Sequence, residues 1–124
     1  MTVNEAITAL NSVKPNQYDD ETMVGWLSDL DGSLYEDVVC WHEGTEETPH
    51  GPYCPEEDMQ KELMVPEPHT DLYLKYLCAQ IDYYNGEISR YNNAMMMYNA
   101  ALASFADWFN RTHTPKQENR IEVI

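Results

Sequence analysis

Basic residues are scarce in this chain. Seven lysines and arginines stand against 22 aspartates and glutamates, for a formal net charge of -15 at pH 7. A field of that sign repels phosphate backbones and anionic headgroups, which argues against a protein that grips nucleic acid or lies on a membrane surface. The three cysteines, Cys40, Cys54 and Cys78, are too few and of the wrong parity for a disulfide framework, so a reducing cytosol is expected. No apolar run approaches the ~18 residues that cross a bilayer. Met1-Thr2-Val3-Asn4-Glu5 lacks the positive flank and apolar stretch of a signal peptide. Also missing are a Gly-x-Ser-x-Gly elbow, a phosphate loop, a Gly-x-Gly-x-x-Gly turn and an Asp-x-Asp-x-Asp-Gly calcium loop. The acidic clusters Glu46-Glu47 and Glu56-Glu57-Asp58 therefore read as solvated loop, and no enzyme activity or cofactor is expected.

What the chain does have is helical periodicity. With 124 residues, 43% of them hydrophobic, it has room for one small domain, and the pattern is all-α. Thr2 followed by Glu5 makes a capping-box pattern before the apolar side Val3, Ile7, Leu10, and Pro15-Asn16 stops that helix. A second short helix starts at Asp19-Asp20 and carries Met23, Trp26, Leu27, Leu30, Leu34 and Val38 at a 3.6-residue period. Gly25 and Gly32 lie inside it, each costing about 1 kcal/mol against alanine, which predicts close packing or a local break. From 40 to 68 the period is lost in a long acidic loop punctuated by Pro49, Pro52, Pro55, Pro66 and Pro68. Only Leu63-Met64-Val65 reads as buried there, and one helical turn is expected near Glu56 to Leu63.

After the loop, Leu74, Leu77, Ile81, Tyr84, Ile88, Tyr91, Met95, Tyr98, Leu102, Phe105 and Phe109 keep an unbroken heptad phase. Asn85-Gly86 is a turn dipeptide, but the phase runs through it, so the expectation is one long, bent or straight, C-terminal helix of roughly 55 Å at 1.5 Å per residue. Pro115 ends it. The organisation expected is a small helical bundle over 1–115 and an extended tail over 116–124 that carries Ile121 and Val123.

Two constellations qualify as sites. Cys40, His42, His50 and Cys54 supply zinc-type ligands, but the spacing C-x-H-x7-H-x3-C fits no common finger, and loop histidines with a packed thiol explain it equally. Cys78 with His69 or His113 is an open nucleophile pairing, against which stands a thiol packed beside Leu77. The tyrosines and Met95-Met96-Met97 make the long segment apolar on several sides, which calls for cover from a neighbouring subunit. The interface candidates are Tyr84, Tyr91, Met95, Met96, Tyr98, Phe105, Ile121 and Val123.

Several runs carry a family resemblance: Val13-Lys14-Pro15-Asn16, Trp26-Leu27-Ser28-Asp29-Leu30-Asp31-Gly32, Leu63 to Pro66, Ile81-Asp82 through Asn85-Gly86-Glu87, Tyr91-Asn92-Asn93, and Phe109 to Pro115. Together they resemble small proteins encoded beside capsid and portal genes in tailed phages and prophages of Gram-positive gut bacteria. Those are similar in turn to the head–tail connector (adaptor) family. The resemblance implies an all-helical protomer, without catalytic residues, that joins a ring of about a dozen copies below the portal. It further implies contacts to the portal and to the next neck or tail-completion protein, an acidic lumen through which DNA passes unread, and no membrane. Assembly would occur in the bacterial host cytoplasm and the finished ring would sit in the virion neck. The acidic loop and the tail would order on assembly. Two rivals from other classes remain at this point: an acidic phage inhibitor that mimics DNA, and a small zinc-binding regulator built on the Cys40 to Cys54 loop.

Overall fold

The computed structural model describes residues 1–116, and among these the chain is all-α, with no β-strand. Helix α1 spans Val3–Val13. The Thr2 hydroxyl accepts from Glu5 N, while the Glu5 carboxylate accepts from Thr2 N, closing the capping box that the sequence announces. Helix α2 spans Asp20–Asp37, capped by Asp19, whose carboxylate accepts from Thr22 N at 2.9 Å. Thr22, through its side chain first and its backbone N–H second, holds the Asp19 carboxyl below its ordinary value. The predicted stripe Met23, Trp26, Leu27, Leu30 and Leu34 is buried. Gly25 and Gly32 are not closely packed: a Cβ built at either meets nothing within 4 Å. A short 3₁₀ turn, Val39–Trp41, follows α2.

The single long helix is corrected to two. Helix α3 spans Asp71–Tyr84 and helix α4 spans Ile88–Thr112. Gly86 has φ +76, a left-handed conformation that suits a residue without Cβ. Gly86 N donates to Tyr83 O at 3.1 Å and Glu87 N to Asp82 O at 2.9 Å, the paired bonds of a Schellman stop. The two helices then pack antiparallel. Tyr83 packs against Tyr91, Tyr76 against Tyr98 and His69 against Phe105, pairs whose numbers step in opposite directions. The heptad phase survives the reversal because both helices bury the same stripe, and it fails where the chain turns: Tyr84 is 57% and Ile88 59% exposed. Gly86→Ala should lower stability by about 1–2 kcal/mol, read as a fall in the urea midpoint, because a Cβ is forced into the left-handed region. An unchanged midpoint would show that the hairpin does not depend on this turn.

The loop is corrected as well. Residues 42–70 form turns, with no helical segment near Glu56 to Leu63, and they wrap the bundle within the single protomer. Val3 N and Asn4 N, which have no partner inside α1, donate to Lys61 O and Met59 O. Glu43 N donates to Thr114 O and Lys116 N to Trp41 O, tying the chain that leaves α4 to the start of the loop. Leu63 and Val65 are buried as expected, and so are Tyr53, His42 and Thr45, which the periodicity does not single out.

Candidate functional site

The most constrained polar site lies under the loop. Asp31 is fully buried on the stripe side of α2, between Leu27 and Leu34. Its Oδ1 accepts from the Tyr73 hydroxyl at 2.6 Å, and its Oδ2 accepts from the Tyr53 hydroxyl at 2.5 Å and from Met64 N at 2.9 Å. The Tyr73 hydroxyl in turn accepts from Val65 N at 2.8 Å. One carboxylate thus binds α2, α3 and two stretches of loop. Burial pushes its pKa up, and the three hydrogen-bond donors pull it back down. Burial, reinforced by the carboxylate, raises both tyrosine hydroxyls and keeps them as donors. This is a fastening: the Tyr53 and Tyr73 hydroxyls and Met64 N hold the carboxylate, and Val65 N holds the Tyr73 hydroxyl in place. The sequence signal for it was Asp31's place on an apolar stripe, where a carboxylate must find donors.

A second buried carboxylate, Asp82 of α3, faces Lys14 Nζ at 3.0 Å. Its Oδ1 has no aligned hydrogen bond, so the ion pair alone compensates its burial and ties the end of α1 to α3.

The Cys/His candidates do not converge. Cys40 Sγ donates to Glu36 O, and Cys54 Sγ to the Glu56 carboxylate. His42 is buried edge-on to Phe109, with Nδ1 2.9 Å from Val38 O and Nε2 2.9 Å from the Asn110 amide. His50 stacks on Tyr35 at 3.9 Å and bonds Thr48 O. Among the described residues no group of three or more His, Cys, Asp or Glu side chains is arranged to hold a metal. Cys78 likewise meets no histidine. It lines a shallow groove with Leu74, Lys75, Ala94 and Met97, and burial raises its pKa, whereas His69 packs on Trp108 and His113 on Phe109.

The interface candidates divide. Tyr98 and Phe105 are inside the protomer, 6% and 1% exposed, and belong to its own core: in an antiparallel hairpin the seam of α4 is covered by α3. Burial pushes the Tyr98 hydroxyl up to about 12. Tyr91 and Met95 are half-buried at the edge of that seam. Tyr84 and Met96 are open to solvent, joined by Tyr83, Ile88 and Met97, which the heptad list partly missed. Ile121 and Val123 lie outside the described residues.

At the hairpin turn, rings run on from Tyr18 to Trp26 at 5.4 Å, from Trp26 to Tyr84 at 5.5 Å, and from Tyr84 to Tyr83 at 5.0 Å. On the other side of α2, an open cleft of about 590 Å³ runs between that helix and His50-Gly51-Pro52, with Asp29 and Glu36 on its wall. Among the described residues no helix is long and apolar enough to cross a membrane. The fold and these surfaces define a small all-α protein. In comparisons with protein-family models, curated proteins and solved structures, nothing matches this chain.

Proposed function

We propose that this chain is a structural protein of a tailed-phage virion neck, a head–tail connector that assembles into a ring of about a dozen copies below the portal and extends the DNA channel. The observation that carries the proposal is the α3–α4 hairpin, which leaves Tyr83, Tyr84, Ile88, Met96 and Met97 exposed on a protomer of strongly acidic composition. Large apolar side chains left exposed in this number mark surfaces that another protein covers. The resemblance over most of the chain supports the family, and the all-α bundle agrees with it. A net charge of -15 suits a channel wall along which DNA slides without sticking. The other partners are the portal and the next neck or tail-completion protein. The protein is made in the bacterial cytoplasm and ends in the virion neck.

Native mass spectrometry of the protein, alone and mixed with the portal from the same genome, tests this. Rings of about a dozen subunits, free or on the portal, are the expected result. A monomer or dimer that ignores the portal defeats the proposal.

One observation favours a second reading. Asp20, Glu21, Asp29, Glu36 and Asp37 are all exposed along α2, as an acidic decoy for a host nucleic-acid-binding protein would need. That reading predicts salt-sensitive binding to a host nuclease, which a connector lacks. A zinc-binding regulator draws no support from the separated positions of Cys40, His42, His50 and Cys54.

A further inference from the structure

Helix α4 lacks the charge that the solvent-facing side of a helix normally carries. From Tyr91 to Ala106 there is no charged residue, in a chain with 22 carboxylates. Arg90, Asn93, Met97, Ala100, Ser104 and Asp107 are all exposed and follow one another at alternating steps of three and four. They form one stripe, about 26 Å long at 1.5 Å per residue, away from the buried Tyr98, Phe105 and Phe109. Met97, near its middle, is 57% exposed.

The stripe is complementary to itself. Turned end for end about a point between Met97 and Ala100, it sets Arg90 against Asp107, Asn93 against Ser104 and Met97 against Ala100. A base meets an acid at both ends, an amide meets a hydroxyl, and a long side chain meets a methyl group. Space for that long side chain is present, since Ala100 lines a groove of about 400 Å³ between α3 and α4. A parallel pairing would instead set Arg90 on Arg90 and Asp107 on Asp107. Among the described residues Asp107 has no ion pair, and Arg90 meets only the exposed Glu87 at 3.0 Å. Charge therefore selects the occupant. Copies at -15 repel one another over most of their surface, whereas this stripe brings one base and one acid to the contact.

We propose that α4 pairs with α4 of a second copy through this stripe, antiparallel and two-fold. Arg90 of each copy meets Asp107 of the other, and the uncharged middle carries the apolar contact. The pairing is isologous, so it stops at two copies. It goes beyond the ring proposed above, which needs a separate surface. Tyr84 and Ile88, at the hairpin turn, are exposed and lie off the stripe.

A charge-swap cycle tests the pairing, with association measured by analytical ultracentrifugation and folding by circular dichroism. Both residues are exposed, so neither replacement disturbs the core. The parent should dimerise. Arg90→Asp sets carboxylate against carboxylate at both ends, and Asp107→Arg sets base against base. Each should weaken the dimer about tenfold. Mixed together, the two variants restore both ion pairs and should associate with parental affinity. The double variant should recover in the same way. A parent that stays monomeric at millimolar concentration overturns the proposal. So do single variants that dimerise like the parent, or that fail to recover on mixing. The ring survives any of these results, because native mass spectrometry with the portal reads it separately.

Discussion

Asp31→Ala should destabilise the protomer by about 3–4 kcal/mol, because it leaves buried donors without a partner. Three donors lose their acceptor at once: the hydroxyls of Tyr53 and Tyr73 and the amide of Met64. For a chain of this size total stability is on the order of 10 kcal/mol, so the variant gives up a large share of it. Urea unfolding followed by circular dichroism measures the loss. Tyr73→Phe should cost less, and Tyr53→Phe less again, since the first removes a donor to Asp31 together with the acceptor for Val65 N, and the second only a donor. The reverse order, or a loss under about 1 kcal/mol for Asp31→Ala, would show that the loop is held mainly by its apolar contacts.

The same carboxylate gives a pH dependence with a definite sign. Burial raises the native pKa of Asp31 above its unfolded value of 3.8, so between those values the folded state holds more of the proton. Its contribution to stability is complete below the ordinary carboxylate range and falls as pH rises through the raised native value. The stability gap between the parent and Asp31→Ala should therefore widen on acidification. The other carboxylates titrate in both proteins and cancel in the difference. A gap that narrows instead would mean that the hydrogen bonds outweigh burial.

How much of this was legible follows the range of each interaction. Thr2, Glu5 and Asp19 act on residues within one helical turn, and both helix starts are where the sequence puts them. The loop was opaque because its order comes from pairs far apart in the chain, Asp31 with Tyr53 and Tyr73, or Val3 with Lys61. Periodicity has no register for such pairs, and a proline-punctuated acidic stretch looks unfastened without them. The hairpin is hidden for a different reason. Asn85-Gly86 is the correct local signal, and the unbroken phase on either side of it points to a continuous helix. Phase records which side of a helix is buried and carries no record of whether the chain reverses. The candidate surface is legible in part: Met96, Met97 and Tyr84 are exposed, while Tyr98 and Phe105, which the heptad pattern offers to a neighbour, are covered within the protomer by the reversal.

That reassignment carries the second large effect. Tyr98→Glu should unfold the protomer, with a loss of several kcal/mol, because it places a carboxylate among buried groups with no cation to meet it. Tyr98 is 6% exposed, packs on Tyr76 at 5.3 Å and already feels the charges of Asp37 and Asp31. Were α4 part of a rod, its seam would face a neighbour, and the same variant would fold and merely stay monomeric. Ile88→Glu is the contrast, since Ile88 is 59% exposed beside the hairpin turn and its replacement buries nothing in the protomer. The expected pattern is a collapsed urea midpoint for Tyr98→Glu and a parental one for Ile88→Glu. Parental midpoints for both would mean that α3 does not cover α4 and that the seam belongs to assembly after all. The hairpin thus separates two functions that a heptad pattern runs together: its inner side makes the protomer, and only its outer side and its turn are free to build anything larger.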